Sequence, residues 1–105
     1  MAQFDVHRNP NPATKAAIPF LLDVQSDLLG PLATRVVVPL YSAAALKGAA
    51  LKTLMPAFQV GGRAVVMATP ELAGVPKRNL GAVVAALAAQ RGVILAALDL
   101  LITGI

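Results

Sequence analysis

A strand-like apolar run that passes directly into a short polar signature constrains this chain more than any other segment. The segment reads Phe20-Leu21-Leu22, then Asp23-Val24-Gln25-Ser26-Asp27, then Leu28-Leu29. We predict a strand from Phe20 to Ser26 and a turn at Gly30-Pro31, because glycine and proline interrupt regular structure. Two adjacent leucines before such a turn rarely both face inward. The sequence therefore predicts exposed apolar side chains beside a polar turn.

The composition indicates a single folded domain, residues 1–105, with more apolar surface than a small monomer easily buries. The chain is 57% hydrophobic and 13% charged, and its mean hydropathy is +0.72. These values exclude a disordered chain, which needs low hydrophobicity and high charge. A partner, lipid or a second copy of the chain would cover the excess, and we favour a homodimer.

Three further segments outline a sheet. Gln3–His7 alternates as a first strand, and a proline-containing loop follows to Pro19. Arg35–Leu40 is a β-branched strand, in which Pro39 predicts a sheet edge or the strand's exit. Phe58–Met67 reads as a hairpin that turns at its two adjacent glycines.

Helix signals are concentrated at the C-terminus. Ser42 is predicted to cap a short helix through about Lys47, and 71–74 to form a turn or a single helical turn. A long helix is expected to begin within 80–88 and to end near Ile102, because apolar side chains recur there at three- and four-residue steps. The predicted fold is α+β: a small SH3-like β-barrel of mostly antiparallel strands with one long C-terminal helix.

The apolar segment 82–102 is long enough to cross a bilayer. However, Arg91 lies near its middle, which costs about 2.5–3.5 kcal/mol on insertion scales. We therefore expect no membrane association. The first five residues lack the basic and apolar regions of a secretory signal, so a cytoplasmic location is expected.

The charged residues favour neither nucleic acid nor a bound cofactor. The net charge is +4, but the nine basic residues are spread along the chain without interleaved aromatic side chains, so no direct nucleic-acid contact is expected. With no cysteine and only one histidine, His7, we predict no metal site and no cofactor. His7 itself is expected at a strand end, facing water or a loop carbonyl.

No arrangement of residues predicts catalysis. Asp23 and Asp27 are four residues apart in a segment predicted to be extended and then turned, which would separate them. We expect each to form turn or strand-end hydrogen bonds. Ser26 and Ser42 lie in no nucleophile elbow. The sequence instead predicts an interaction surface, formed by Leu28-Leu29 and by the end Thr103-Gly104-Ile105.

Four blocks in order resemble the CcdB family of bacterial toxins: Asp23-Val24-Gln25-Ser26-Asp27, Val37-Val38-Pro39-Leu40, Val75-Pro76 and the terminal Gly104-Ile105. The resemblance covers nearly the whole chain. It implies an SH3-like barrel, a homodimer, and a toxin that binds the A subunit of DNA gyrase and traps the enzyme on cleaved DNA. It also implies neutralisation by a disordered antitoxin of the CcdA type.

Carried over by position, the resemblance implies a gyrase-binding surface made of Ser26, Leu28, Leu29, Asp99, Ile102, Thr103, Gly104 and Ile105. Two of these positions depart from the family pattern. Thr103 stands where many members have tryptophan, and Asp99 stands where asparagine is common. Thr103 lowers the expected affinity, since a large aromatic side chain is the usual anchor of a binding hot spot, and Asp99 adds a negative charge. Arg8 and Lys15 are the candidates for contacting acidic antitoxin residues.

Two other functions stay open on the sequence alone. One is an endoribonuclease of the same barrel type, as in MazF-like toxins, although the base and cations that such chemistry needs are not evident. The other is a relative that keeps dimerisation and antitoxin binding but has lost gyrase binding, which Thr103 and Asp99 would explain.

Overall fold

The computed structural model describes residues 1–46 and 52–104, which form one sheet and one helix. The strands and the helix are β1 (Asp5–Arg8), β2 (Phe20–Asp23), β3 (Thr34–Ser42), β4 (Ala57–Val60), β5 (Arg63–Met67), β6 (Ala73–Pro76), β7 (Val83–Ala86) and α1 (Arg91–Thr103). Single 3₁₀ turns occupy Asp27–Leu29, Thr69–Glu71, Lys77–Asn79 and Ala88–Gln90.

Every strand pair in the sheet is antiparallel. The spatial order is β4-β5-β3-β2-β1-β7, and β6 pairs with the part of β3 that β5 leaves free. The sheet curls into a half-barrel around the core, and α1 packs against it. The predicted α+β, barrel-like class is confirmed, as is the hairpin of β4 and β5, whose turn glycines have φ values of 56° and 78°.

The core lies between the concave side of the sheet and α1. β3 supplies its middle, since the β-branched and leucine side chains of this nine-residue strand alternate inward. From α1 only Ile94 and Ala97 are fully buried, and Leu98 packs against the cluster. The other core members come from the flanking strands and loops: Phe4, Val6, Phe20, Leu22, Val24, Val38, Leu40, Phe58, Val60, Val65, Met67 and Leu87.

Pro39 lies inside β3, so the prediction that it marks an edge or exit was wrong. On one side it pairs with Leu21 of β2. On the other side β6 pairs only as far as Val37, and β5 begins only at Leu40. The Pro39 carbonyl accepts from the Ala68 N–H at 3.0 Å on that side. The missing proline donor therefore falls at the gap between two partner strands, where no ladder bond is lost.

The predicted C-terminal helix begins later than the sequence indicated. Residues 83–86 form the edge strand β7, which pairs with β1, and α1 starts at Arg91. The periodicity of a short apolar run does not separate a strand from a buried helix segment, and alanine favours a helix, but pairing with β1 makes residues 83–86 a strand. In residues 1–46 and 52–104, no helix has the length and apolar character needed to cross a membrane.

Two smaller expectations also fail, the second only in part. Ser42 ends β3 and is followed by a backbone turn, Ala45 N–H to the Ser42 carbonyl at 2.9 Å, rather than by a helix. The rest of that predicted helix, at Lys47, lies outside the described residues. In the segment 71–74, predicted as a turn or a single helical turn, Glu71 ends the 3₁₀ turn Thr69–Glu71, but Ala73 already opens β6.

Candidate protein-binding site

The polar signature is built around a buried ion pair. Arg35, in β3, is 1% exposed, and its Nη2 lies 2.7 Å from Oδ2 of Asp23, which is fully buried. The Arg35 Nε also donates to the same oxygen at 2.8 Å. Asp27 approaches from the other side, with Oδ1 at 4.0 Å from Nη2. The predicted separation of the two carboxylates was therefore wrong, since both face one guanidinium group.

Gln25 connects this ion pair to the turn that follows. It is buried, and its Oε1 accepts from the Val36 N–H at 3.0 Å. Its Nε2 donates to the Leu29 carbonyl at 3.0 Å. The amide thus joins β3 to the 3₁₀ turn Asp27–Leu29, which we call the leucine turn. A buried amide with both ends bonded fixes the position of the turn.

Ser26 and Asp27 complete the turn, and Asp27 has the turn hydrogen bond expected for it. The Ser26 Oγ accepts from the Leu28 N–H at 3.2 Å, which is the geometry of an N-cap. The Asp27 Oδ1 accepts from the Gln3 N–H at 2.8 Å. Each polar side chain of the signature therefore has a structural partner, and the signature acts as a support for the two leucines.

Gln3 links the leucine turn to the start of α1. Besides its bond to Asp27, its Nε2 donates to the Val24 carbonyl at 3.2 Å, and its Oε1 accepts from Arg91 Nη1 at 3.2 Å. The next residue, Phe4, has a φ of 71°, a left-handed conformation that costs an L-residue about 1–2 kcal/mol. Its ring is buried in the core, and this packing holds the conformation.

The two leucines are exposed, as the sequence predicted. Leu28 is 90% exposed, the highest value among the large apolar side chains of the described residues, and Leu29 is 48% exposed. Ser26, beside them, is half-buried. A single exposed leucine is common on protein surfaces. Here, however, hydrogen bonds from Gln25, Ser26 and Asp27 hold the turn that carries the leucines, so the two side chains are positioned for contact with a partner before it binds.

The second predicted group lies at the end of α1. Asp99, Ile102, Thr103 and Gly104 are all exposed, Ile102 to 73%. We call these residues the helix end. Gly104 has a φ of 74° and closes the helix with its N–H on the Leu100 carbonyl at 3.0 Å. Ile105, which the sequence also predicts for this surface, lies outside the described residues.

The leucine turn and the helix end are not joined directly within one chain. In the part of the chain that the structure describes, no hydrogen bond or ion pair connects them. Gln3 meets α1 at Arg91, and a rise of about 1.5 Å per residue places Thr103 about 18 Å further along the helix. A single protomer therefore has two separate apolar surfaces, one at the leucine turn and one at the helix end.

Arg8 and Lys15 do meet, in a pocket on another face. They line a depression of about 420 Å³ together with Phe20 and Arg63, whose guanidinium carbon lies 5.8 Å from the Phe20 ring centroid. Arg63 was not among the residues predicted from sequence. It lies at the start of β5, and the spatial order of the sheet, which the hairpin signal alone does not give, brings it there.

His7 lies inside the protein, not at its surface. It is 1% exposed, and its Nδ1 is 3.0 Å from the Gly81 carbonyl oxygen. A carbonyl accepts only, so Nδ1 carries the proton. The expected loop carbonyl is confirmed as its partner, but the alternative of facing water was wrong. This imidazole cannot reach a substrate in solvent.

Comparison with protein families places the chain in a family. The family model described as CcdB protein matches residues 3–104, nearly the full length and every element described above.

Proposed function

Because the chain belongs to the CcdB family and is a toxin of a toxin–antitoxin module, we propose that it binds the A subunit of DNA gyrase and traps the topoisomerase on cleaved DNA. The observation that carries this proposal is the presentation of Leu28. This side chain is 90% exposed on a turn whose backbone and side-chain bonds reach into the core. A rigid apolar contact loses little entropy on binding, which favours a protein partner.

The proposed gyrase surface joins the leucine turn to the helix end through a second copy of the chain. Exposed valines at the β7 edge and on α1, Val83 at 50% and Val93 at 46%, supply apolar surface for a homodimer. A twofold axis would place the leucine turns and helix ends of two copies on one face. The surface comprises Ser26, Leu28, Leu29, Asp99, Ile102, Thr103, Gly104 and Ile105.

The proposed mechanism is binding, not catalysis. A ligand shifts a conformational equilibrium only by its differential affinity for the two states. The toxin dimer would bind gyrase with its DNA gate displaced more tightly than gyrase at rest, and so populate the cleaved state. The burial of His7 supports this over an endoribonuclease, because it removes the chain's one imidazole from contact with RNA.

The antitoxin would bind the positively charged pocket described above. Arg8, Lys15 and Arg63 converge on one pocket, and a disordered CcdA-type antitoxin with acidic side chains would neutralise them. The proposed site of action is the cytoplasm, where gyrase and the antitoxin are present.

The test is a gyrase cleavage assay with matched leucine variants. Leu29 and Leu32 are 48% and 49% exposed, and only Leu29 belongs to the proposed surface. We expect Leu28→Ser and Leu29→Ser to abolish trapping of cleaved complexes, while Leu32→Ser traps like the parent. Circular dichroism and thermal unfolding should match in all three, because none of these side chains is buried.

Two results would reject the proposal. One is a folded Leu28→Ser, Leu29→Ser double variant that still traps gyrase at parental concentrations. The other is a parent protein that fails to retain gyrase A fragments in a pull-down, which would favour the relative that has lost gyrase binding. Induction in strains with sensitive and resistant gyrase A should inhibit growth only of the sensitive strain.

A further inference from the structure

The basic surface extends beyond the pocket of Arg8 and Lys15. A second depression, of about 450 Å³, lies on the other side of the loop and is lined by Asn9, Pro10, Asn11, Pro12, Val75, Arg78 and Asn79. Asn9 lines both depressions, so the loop forms a ridge between them. The first contains Arg63 and the second contains Arg78, neither of which was predicted from sequence as a contact residue.

The cations in these depressions have no anionic partner. In residues 1–46 and 52–104 the ion pairs all belong to Arg35, and Arg8, Lys15, Arg63 and Arg78 are exposed. No carboxylate lines either depression. Of the five Asp and Glu side chains, Asp23 and Asp27 face Arg35, Glu71 accepts from the Tyr41 hydroxyl and Asp5 accepts from the Ala2 N–H, while Asp99 lies exposed on α1. One face of the protein therefore carries unneutralised positive charge.

The ridge between the depressions is rigid. Asn9 is 9% exposed, and its Nδ2 donates to Thr14 Oγ1 at 3.0 Å and to the Ile18 carbonyl at 2.8 Å. Its Oδ1 accepts from the Asn11 N–H at 3.1 Å. Pro10 and Pro12 fix two backbone φ angles. The ridge thus keeps its shape before any partner binds, which reduces the entropy lost when a chain is laid across it.

We propose that the two depressions form one bipartite site for an extended acidic polypeptide, which crosses the ridge and places carboxylates against Arg63 on one side and Arg78 on the other. The proposal rests on the proposed function in so far as the natural occupant is an acidic segment of the antitoxin. Opposite charge and two cavities separated by a ridge favour an extended chain over a compact domain, since only a thin strand enters both.

Fluorescent peptides of four and twelve glutamates are suitable probes for anisotropy titrations with the intact protein at low salt. The longer peptide should bind more tightly than the shorter one, because it alone reaches both depressions. Arg63→Gln and Arg78→Gln should each weaken the longer peptide about 2–5-fold, the range for an exposed ion pair. The double variant should approach the affinity of the short peptide.

Lys52→Gln is the matched control, since it removes one exposed positive charge outside both depressions. Equal weakening by Lys52→Gln would overturn the proposal, because net charge would then explain the binding. An effect of Arg63→Gln without one of Arg78→Gln would overturn the bipartite site. Tighter binding of a twelve-nucleotide single-stranded RNA than of the longer peptide, with the same variant dependence, would assign the surface to nucleic acid and reject an acidic polypeptide.

The same variants separate this proposal from the function proposed above. Arg63 and Arg78 lie outside the gyrase surface, so Arg63→Gln and Arg78→Gln should trap gyrase like the parent. Trapping without depression-dependent peptide binding would reject the bipartite site alone. Depression-dependent peptide binding by a protein that never traps gyrase would reject gyrase poisoning alone.

Discussion

The leucine turn and the helix end expose their apolar side chains by different means. The leucine turn is fixed by side chains: Arg35, Gln25 and Ser26 bond to its backbone or to the carboxylates beside it. The helix end is fixed by local bonds within the helix, the Gly104 backbone cap and the bond from Thr103 Oγ1 to the Asp99 carbonyl at 2.7 Å. Exposure alone is thus a poor guide to how firmly a contact residue is held.

Because of this difference, the two regions should respond differently to substitution. Substitutions of Asp23, Gln25 or Arg35, which support the leucine turn, should alter folding as well as binding, because these side chains are buried. Substitutions of Asp99, Ile102 or Thr103 at the helix end should alter mainly the contact, because these side chains are exposed. Asp99 and Thr103, the two positions at which the resemblance implies a departure from the family pattern, both lie at the helix end.

The largest expected effect on stability comes from replacing aspartate by asparagine beneath the leucine turn, and the same replacement at the helix end serves for comparison. Asp23→Asn leaves the Arg35 guanidinium buried without its carboxylate and should lower the free energy of unfolding by about 3–5 kcal/mol. Asp99→Asn changes an exposed side chain and should shift it by no more than about 0.5 kcal/mol. Urea denaturation measures both. Comparable losses in the two variants would contradict the distinction between the regions.

A smaller effect compares two glycines on the same helix. Gly104→Ala forces an L-residue into a left-handed conformation, with φ 74°, and should lower the free energy of unfolding by about 1 kcal/mol. Gly92→Ala, in the exposed first turn of α1 with open space around the new Cβ, should raise it by about 0.4–1 kcal/mol, because alanine leaves the unfolded chain fewer conformations. Thermal unfolding should therefore shift in opposite directions. An unchanged midpoint for Gly104→Ala would mean that the cap does not hold the helix end.

The smallest expected effect on stability concerns a hydrogen bond outside both regions. This bond joins two side chains near the surface, so it shows how little such a bond contributes by comparison. The Tyr41 hydroxyl donates to Glu71 Oε1 at 2.7 Å, and this bond, with desolvation and the carboxylate's charge, raises the pKa of Tyr41 above 10.0. The folded pKa exceeds the unfolded one, so the stabilisation is present below the unfolded pKa and is lost as pH rises through the folded one.

Because the chain has one tyrosine and no tryptophan, tyrosinate absorbance follows this group alone. The titration midpoint should lie above 10.0, and Glu71→Gln should bring it down. A midpoint that Glu71→Gln leaves in place would show that the bond does not persist in solution. The stability of Glu71→Gln should change less than that of either glycine variant.

The parts of the fold predicted correctly from sequence depend on neighbours in the chain. Gly61-Gly62 sets the turn of the β4–β5 hairpin through its positive φ angles, and Gly30-Pro31 ends the segment that exposes Leu28. The failures come from long-range pairing. β7 was assigned to the helix because an apolar alanine-rich run fits both patterns, and Pro39 was placed at an edge because the two partners of β3 were unknown.

The sequence by itself determined which side chains would be exposed at the leucine turn, since turn residues and adjacent leucines act locally. Only the tertiary structure decided what supports them. Arg35 lies twelve positions from Asp23, and Arg91 lies 88 positions from Gln3. The clustering of Arg63 with Arg8 and Lys15 is of the same kind. Such contacts depend on strand order and register, which arise from packing the whole core and not from the identity of neighbouring residues.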